Sequence, residues 1–182
     1  MELSLKGEDL EHLQKYAKFL HLSTPPKLYN SKCNGKLFSR CRCFTCNEHF
    51  KKRLIELGCF PRKSLTLKFP NIDVFRSPKL IIHFIRGYFD GDGWFSNTDS
   101  TFQVGLIGTQ AFIEGFLKDA EPYINTNLKI HIVHREGGAK RYMFSGLQDV
   151  TNFLNWIYKD STIYLDRKYE SYQVFLKEGR KK

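Results

Sequence analysis

Asp90 and Asp92, each followed by glycine, close the apolar run Phe84-Ile85-Arg86-Gly87-Tyr88-Phe89-Asp90-Gly91-Asp92-Gly93. Upstream, Ser77-Pro78 suits a helix start, because serine caps the first turn and proline is tolerated within it. Leu80, Ile81, Phe84, Ile85 and Tyr88 then recur at three- and four-residue spacing, the period of a buried helical face. The two acids therefore fall at a helix C-terminus, where the macrodipole disfavours negative charge. They need a compensating partner, and a divalent cation bound through oxygen is one. Gly87 and Gly91 lie four residues apart on the same helix and share a face. Glycine in a helix interior costs roughly 0.5–1 kcal/mol against alanine. A pair on one face makes sense where another backbone must approach closely. D-x-D-G also opens a calcium-binding EF-hand loop, but that loop needs an oxygen ligand at its fifth position and glycine at its sixth. Trp94 and Phe95 stand there, which excludes it.

The elements that must hold these acids come from 182 residues, enough for one substantial domain or two small ones, with 16 Phe and 9 Tyr for a core. The formal charge of +10 favours a polyanionic partner. It is uneven. Residues 1–80 hold 16 Lys and Arg against 7 Asp and Glu, net +9, whereas 81–182 hold 13 against 12, net +1. No apolar run is long enough to span a membrane. The N-terminus reads as neither signal nor transit peptide, so the expectation is a protein acting where it is made. Five cysteines argue against a disulfide framework. Cys41, Cys43, Cys46 and His49 suggest zinc, but strand alternation puts Cys41 and Cys43 on one face and Arg40 and Arg42 on the other. Small buried cysteines explain this more simply.

Along the chain, a strand at 2–6 precedes a helix at 8–21, strand-like runs near 27–30 and 36–45 about the turn Asn34-Gly35, and a helix at 47–57. A linker, Pro61-Arg62-Lys63-Ser64, leads to an extended run ending at Pro70. After the acidic helix at about 78–90 come strands near 93–97 and 101–107 and a helix at 109–120. Strands near 128–135 and 140–145 and helices at 147–158 and 165–178 follow. Strand, helix, hairpin and helix at 2–57 repeat at 101–158, an offset of about 100 residues at both ends, and each copy is followed by an Arg-Lys pair, Arg62-Lys63 and Arg167-Lys168. The pattern reads as an internal duplication whose first copy lacks the acidic helix.

The 84–93 run resembles the LAGLIDADG motif of homing endonucleases. Ile85 and Arg86 stand at its first two positions, Gly87 at its first glycine, Tyr88 and Phe89 at its second leucine and isoleucine, and Asp90–Gly93 fill the rest. Arg86 in place of alanine and the two aromatics are departures. Pro61–Ser64, Ile107-Gly108-Thr109 and Tyr164-Leu165-Asp166-Arg167-Lys168-Tyr169 extend the resemblance to the single-chain bacterial and phage branch. The resemblance implies an α+β fold in which curved antiparallel sheets pack against helices in αββαββα-type copies. Residues 1–76 would be a half-repeat without its motif helix, and 77–182 the LAGLIDADG domain with that helix at 78–93. It further implies Asp92 as metal ligand, the Gly91 carbonyl as a second ligand, and Asp90 as a helix-end residue beside the Gly87 interface.

Cleaving a phosphodiester requires an attacking water and neutralised phosphoryl charge, which oxygen-bound Mg²⁺ or Mn²⁺ supplies with few carboxylates, since phosphates and waters complete its shell. By the same resemblance Lys168 and Lys63 act beside the metal. The sheets would read double-stranded DNA in the major groove through Lys36, Arg40 and Arg42 in the first copy and Lys129, His131 and Arg135 in the second. The expected activity is site-specific, metal-dependent DNA cleavage serving intron or intein homing, in the cytoplasm of a bacterial or phage-infected cell, organellar origin being left open. One motif helix supplies one acid, so cleaving both strands calls for a homodimer or a second fragment bearing a motif helix. The alternative is a non-cleaving DNA- or RNA-binding protein like the maturases and transcription regulators of the same fold.

Overall fold

The computed structural model describes residues 1–98, 101–124, 128–133 and 140–178. The chain divides by packing into two compact units, Met1–Arg53 and Leu54–Lys182.

The first unit carries β1 (Glu2–Lys6), α1 (Leu10–Phe19), β2 (Lys27–Cys33) and β3 (Lys36–Phe44), and α2 (Glu48–Glu56) begins within it. The strands form an antiparallel sheet in the order β1-β3-β2. The β2–β3 hairpin turns on Asn34 (φ 49°) and Gly35 (φ 77°), so Cys33 pairs with Lys36 across a two-residue loop of the kind Asn-Gly favours. Alternation then decides the faces. Cys41 and Cys43 point inward and are buried with Leu13, while Arg40 and Arg42 point outward and are exposed. The Cys41 thiol donates to the Lys6 carbonyl at 3.0 Å. Burial pushes both thiols up from their ordinary pKa. Cys46 and His49 are exposed, and no cluster of three metal-ligating side chains occurs among the described residues. Cys41 and Cys43 are core residues.

In the second unit the element order is α3 (Ile81–Asp92), β4 (Gly93–Thr98), β5 (Thr101–Gly108), α4 (Gln110–Ile124), β6 (Lys129–Val133), β7 (Lys140–Ser145), α5 (Leu147–Tyr158) and α6 (Asp166–Glu178). The sheet order is β4-β5-β7-β6, all antiparallel. The strands β5, β7 and β6 repeat the connectivity of β1, β3 and β2. The second unit adds α3 and β4 before these elements and α6 after them. Ile81, Ile85 and Phe89 of α3 join Val104, Leu106, Tyr142, Phe144, Phe112, Phe116, Phe153 and Ile157 in one core under the sheet. Phe89 sits edge-on to Phe95, Phe153 and Tyr158.

Several local expectations change. The run ending at Pro70 joins no sheet. Lys63–Leu65 is a 3-10 turn in which the Thr66 and Leu67 amides both donate to the Lys63 carbonyl, and Leu67 and Phe69 pack on the core instead of pairing in a sheet. The acidic helix begins at Ile81, after a separate 3-10 turn Pro78–Leu80 in which Ser77 accepts from the Lys79 amide. Leu80 is exposed as a result. Helix α4 runs to Ile124, carrying Pro122 in its last turn.

Candidate active site and nucleic-acid faces

Helix α3 hands directly to β4 at Gly93. A Cβ there would lie 2.6 Å from the Phe89 ring, so only glycine lets the chain leave the helix this tightly. Asp90 and Asp92, two residues and so about half a helical turn apart, consequently face different surroundings.

Asp90 is buried. One carboxyl oxygen accepts from the Tyr158 hydroxyl at 2.6 Å and the other from the Leu165 amide at 3.0 Å. Burial, and then the Asp90 carboxyl, holds the Tyr158 phenol well above its ordinary pKa. One turn earlier, the buried Arg86 donates from Nε to the Ile157 carbonyl at 2.5 Å and from Nη1 to the Ile163 carbonyl at 3.3 Å. Burial lowers the Arg86 pKa, and Asp90 acts in the opposite direction. The two side chains thus tie α3 to the end of α5 and to the entry of α6. Leu165 caps that entry, its carbonyl accepting from the Lys168 and Tyr169 amides at 2.9 and 3.0 Å.

This tie carries Lys168 to the end of α3. Lys168 is buried, its ammonium donates to the Gly93 carbonyl, and it lies 5.9 Å over the Phe89 ring. Asp92 is open to solvent but sits low among its neighbours. The loss of surrounding water raises its carboxyl pKa, while the charges of Lys63 and Lys168 pull it back down. Asp92, Lys63 and Lys168 therefore form one electrostatic cluster built from the α3 end, the 3-10 turn after α2 and the first turn of α6. Beside it, the Tyr88 hydroxyl donates to the Ile107 carbonyl at 2.9 Å, and Tyr88 stacks on Phe112. Burial raises the Tyr88 pKa, and Asp92 adds to the shift.

A hard cation needs oxygen donors. The solvent-open Asp92 carboxylate, at a helix end where unpaired carbonyls collect, fits such an ion if phosphate and water complete its shell. Gly91, whose carbonyl is the expected second ligand, and Gly87 are both exposed, and no described group lies within 4 Å of where their Cβ atoms would stand. The glycine face of α3 is open in the chain as described.

Lys36, Arg40 and Arg42 lie on the outward face of the first sheet, joined by Tyr29, over which the Arg42 guanidinium sits at 4.8 Å. Arg40 donates to Ser31 at 2.8 Å, and Arg42 lies 3.7 Å from Glu2. Lys129 and His131 are exposed on the second sheet, where His131 shares a 2.8 Å hydrogen bond with Ser145. Arg135 lies outside the described residues. Sequence reasoning missed Arg86, Tyr158, Trp94 and Arg141. Only Arg86 carried a local signal, an arginine four residues before Asp90 on a helix.

No protein-family model and no curated protein matches the sequence. Solved structures do. The chain is similar to I-DmoI in complex with DNA and Ca, at 18% identity over 95% of this chain and 82% of that one, with a TM-score of 0.55. It is similar to the LAGLIDADG meganuclease I-AabMI bound to uncleaved DNA, at 14% identity over 97% and 79%, TM-score 0.55. It is also similar to the N-terminal LAGLIDADG domain of DUF199/WhiA, at 14% identity over 93% and 76%, TM-score 0.50. At these identities the likeness is one of architecture: the chain has the LAGLIDADG homing-endonuclease fold.

Proposed function

We propose that the protein is a site-specific DNA endonuclease that uses a divalent cation to hydrolyse phosphodiester bonds. The observation that carries this reading is the cluster of Asp92, Lys63 and Lys168, contributed by three separated elements to the end of one helix. The DNA complexes of I-DmoI and I-AabMI, one of them with Ca, support it. Asp92 and the Gly91 carbonyl hold Mg²⁺ or Mn²⁺. When bound, the ion neutralises phosphoryl charge and lowers the pKa of its water. Lys168, its ammonium pinned to the Gly93 carbonyl, and Lys63 place positive charge where the transition state accumulates negative charge. The open glycine face of α3 receives the motif helix of a second copy or of a complementing fragment, which brings the second acid that double-strand cleavage requires.

The test is cleavage of a target-containing duplex in Mg²⁺ by wild type and by Asp92→Asn. The variant should bind and not cleave. Equal cleavage by both would remove Asp92 from the chemistry. A second reading, a non-cleaving DNA- or RNA-binding protein, draws on α3 being the one acidic motif helix among the described residues. Binding of a defined sequence by wild type, with no cleavage in Mg²⁺ or Mn²⁺ at any protein concentration, would favour it.

A further inference from the structure

The outward face of the second sheet carries a built feature that neither the motif nor the metal site uses. Trp94 is the second residue of β4, directly after Gly93, and its register partner on β5 is Gly105. A Cβ at Gly105 would lie 2.7 Å from two atoms of the indole, so the ring lies across the strand where a side chain would otherwise stand. On the next strand, Arg141 places its guanidinium 3.6 Å from the centre of that ring. Met143 pairs with Gly105 and with His131, and Ile107 pairs with Arg141, so Trp94, Arg141 and His131 share one face. The opposite face, with Val104, Leu106, Tyr142 and Phe144, is the buried core.

Arg141 is half-buried, and it makes no hydrogen bond or ion pair among the described residues. Its Nε and the Trp94 indole nitrogen are both shielded and without a partner. An arginine whose hydration is replaced by an aromatic face, with donors unspent, suits an acceptor pair supplied from outside. The cation–π contact holds the planar fork in one orientation before any ligand arrives, which removes part of the entropy cost of binding. In the major groove, a fork of two parallel donors matches the O6 and N7 acceptors of guanine.

We infer that Arg141, seated on Trp94 over Gly105, reads a guanine in the major groove beside the cleavage site. The inference rests on the reading of this protein as one whose sheet face meets DNA. The position follows from the chain. Trp94 is two residues beyond Asp92, at most about 7 Å between their Cα atoms, so the guanine lies within about three base pairs of the scissile phosphate. Lys129 and His131, exposed toward the far edge of the same face, meet DNA further out.

The experiment is selection of bound sequences from a randomised duplex pool by the full chain in Ca²⁺, repeated with Arg141→Lys, Arg141→Gln and Trp94→Leu. Retained cooperative thermal unfolding checks that each variant folds. Wild type should enrich guanine at a position near the centre of the recovered site. Arg141→Lys keeps the charge and loses the fork, so it should lose that one preference by about 5- to 150-fold while other positions are unchanged. Arg141→Gln should move the preference toward adenine, and Trp94→Leu should weaken it without abolishing binding. Two results would overturn the inference while leaving DNA binding intact. In one, the variants recover the wild-type sequence preferences. In the other, Arg141→Gln weakens binding to all sequences alike, as loss of a phosphate contact would. Recovery of no sequence above the starting pool by folded wild type would overturn the DNA-binding reading itself, and this inference with it.

Discussion

Asp90 and Asp92 differ by two positions in sequence, yet one is sealed under a tyrosine and an amide and the other meets solvent and two lysines. Their chemistry diverges accordingly, and each makes a prediction. Asp92 has a folded pKa above its ordinary value, so its ionisation is harder in the native state than in the unfolded chain. Such an acid weakens folding as pH rises from about 4 through the raised value, and has no effect below both values. In metal-free buffer at neutral pH, Asp92→Asn should melt above wild type, and the difference should shrink toward pH 3. Mg²⁺ should then raise the melting temperature of wild type more than that of the variant. Asp90 behaves otherwise. Tyr158→Phe removes a buried donor from its carboxyl, and should cost about 1–3 kcal/mol in denaturant unfolding. At this scale the glycine-punctuated acids were legible because a helix end and two carboxylates are local facts. Arg86 was read as a departure from a motif, since nothing local shows that its fork would meet the Ile157 and Ile163 carbonyls more than seventy residues away. The pairing of Trp94 with Arg141 was equally invisible, because it depends on strand register.

The hairpins carry their information in alternation. Cys41 and Cys43 inside, with Arg40 and Arg42 outside, could be read from sequence because the strand period is two and the Asn34-Gly35 turn sets the register. The same rule puts Lys36 on the outward face. If that face tracks phosphates, Arg40→Ser combined with Arg42→Ser should lower the slope of log affinity against log salt by up to about 1.8, near 0.9 for each lost contact. Filter binding across a salt series measures it. An unchanged slope would remove the first sheet from the phosphate footprint. The run ending at Pro70 joins no sheet, and its Phe69 packs against Phe84, Phe112 and Phe116. Which core that ring meets is a long-range fact that the local pattern does not contain.

Along the whole chain one strand–helix–hairpin–helix order occurs twice, in β1 to α2 and in β5 to α5. The matching strand orders of the two sheets are what a duplication would produce, and α3, β4 and α6 have no counterpart in the first unit. No helix of the described residues is long and apolar enough to cross a membrane. The open Gly87 and Gly91 face then sets the assembly prediction. Wild type should sediment as a dimer at micromolar concentration, and Gly87→Leu, at a position where no described group lies within 4 Å of an added Cβ, should be a folded monomer. A monomeric wild type would instead require the second helix to come from another polypeptide. By itself the sequence determined the α+β class, the acidic helix and the hairpin faces, all products of local periodicity and turn chemistry. Only the tertiary structure decided that Lys63 and Lys168 share an environment with Asp92, that Arg86 and Asp90 fasten α6 in place, and that Trp94 bears Arg141. The reason is that these contacts join residues far apart in the chain, through burial and strand register that no short window of sequence contains.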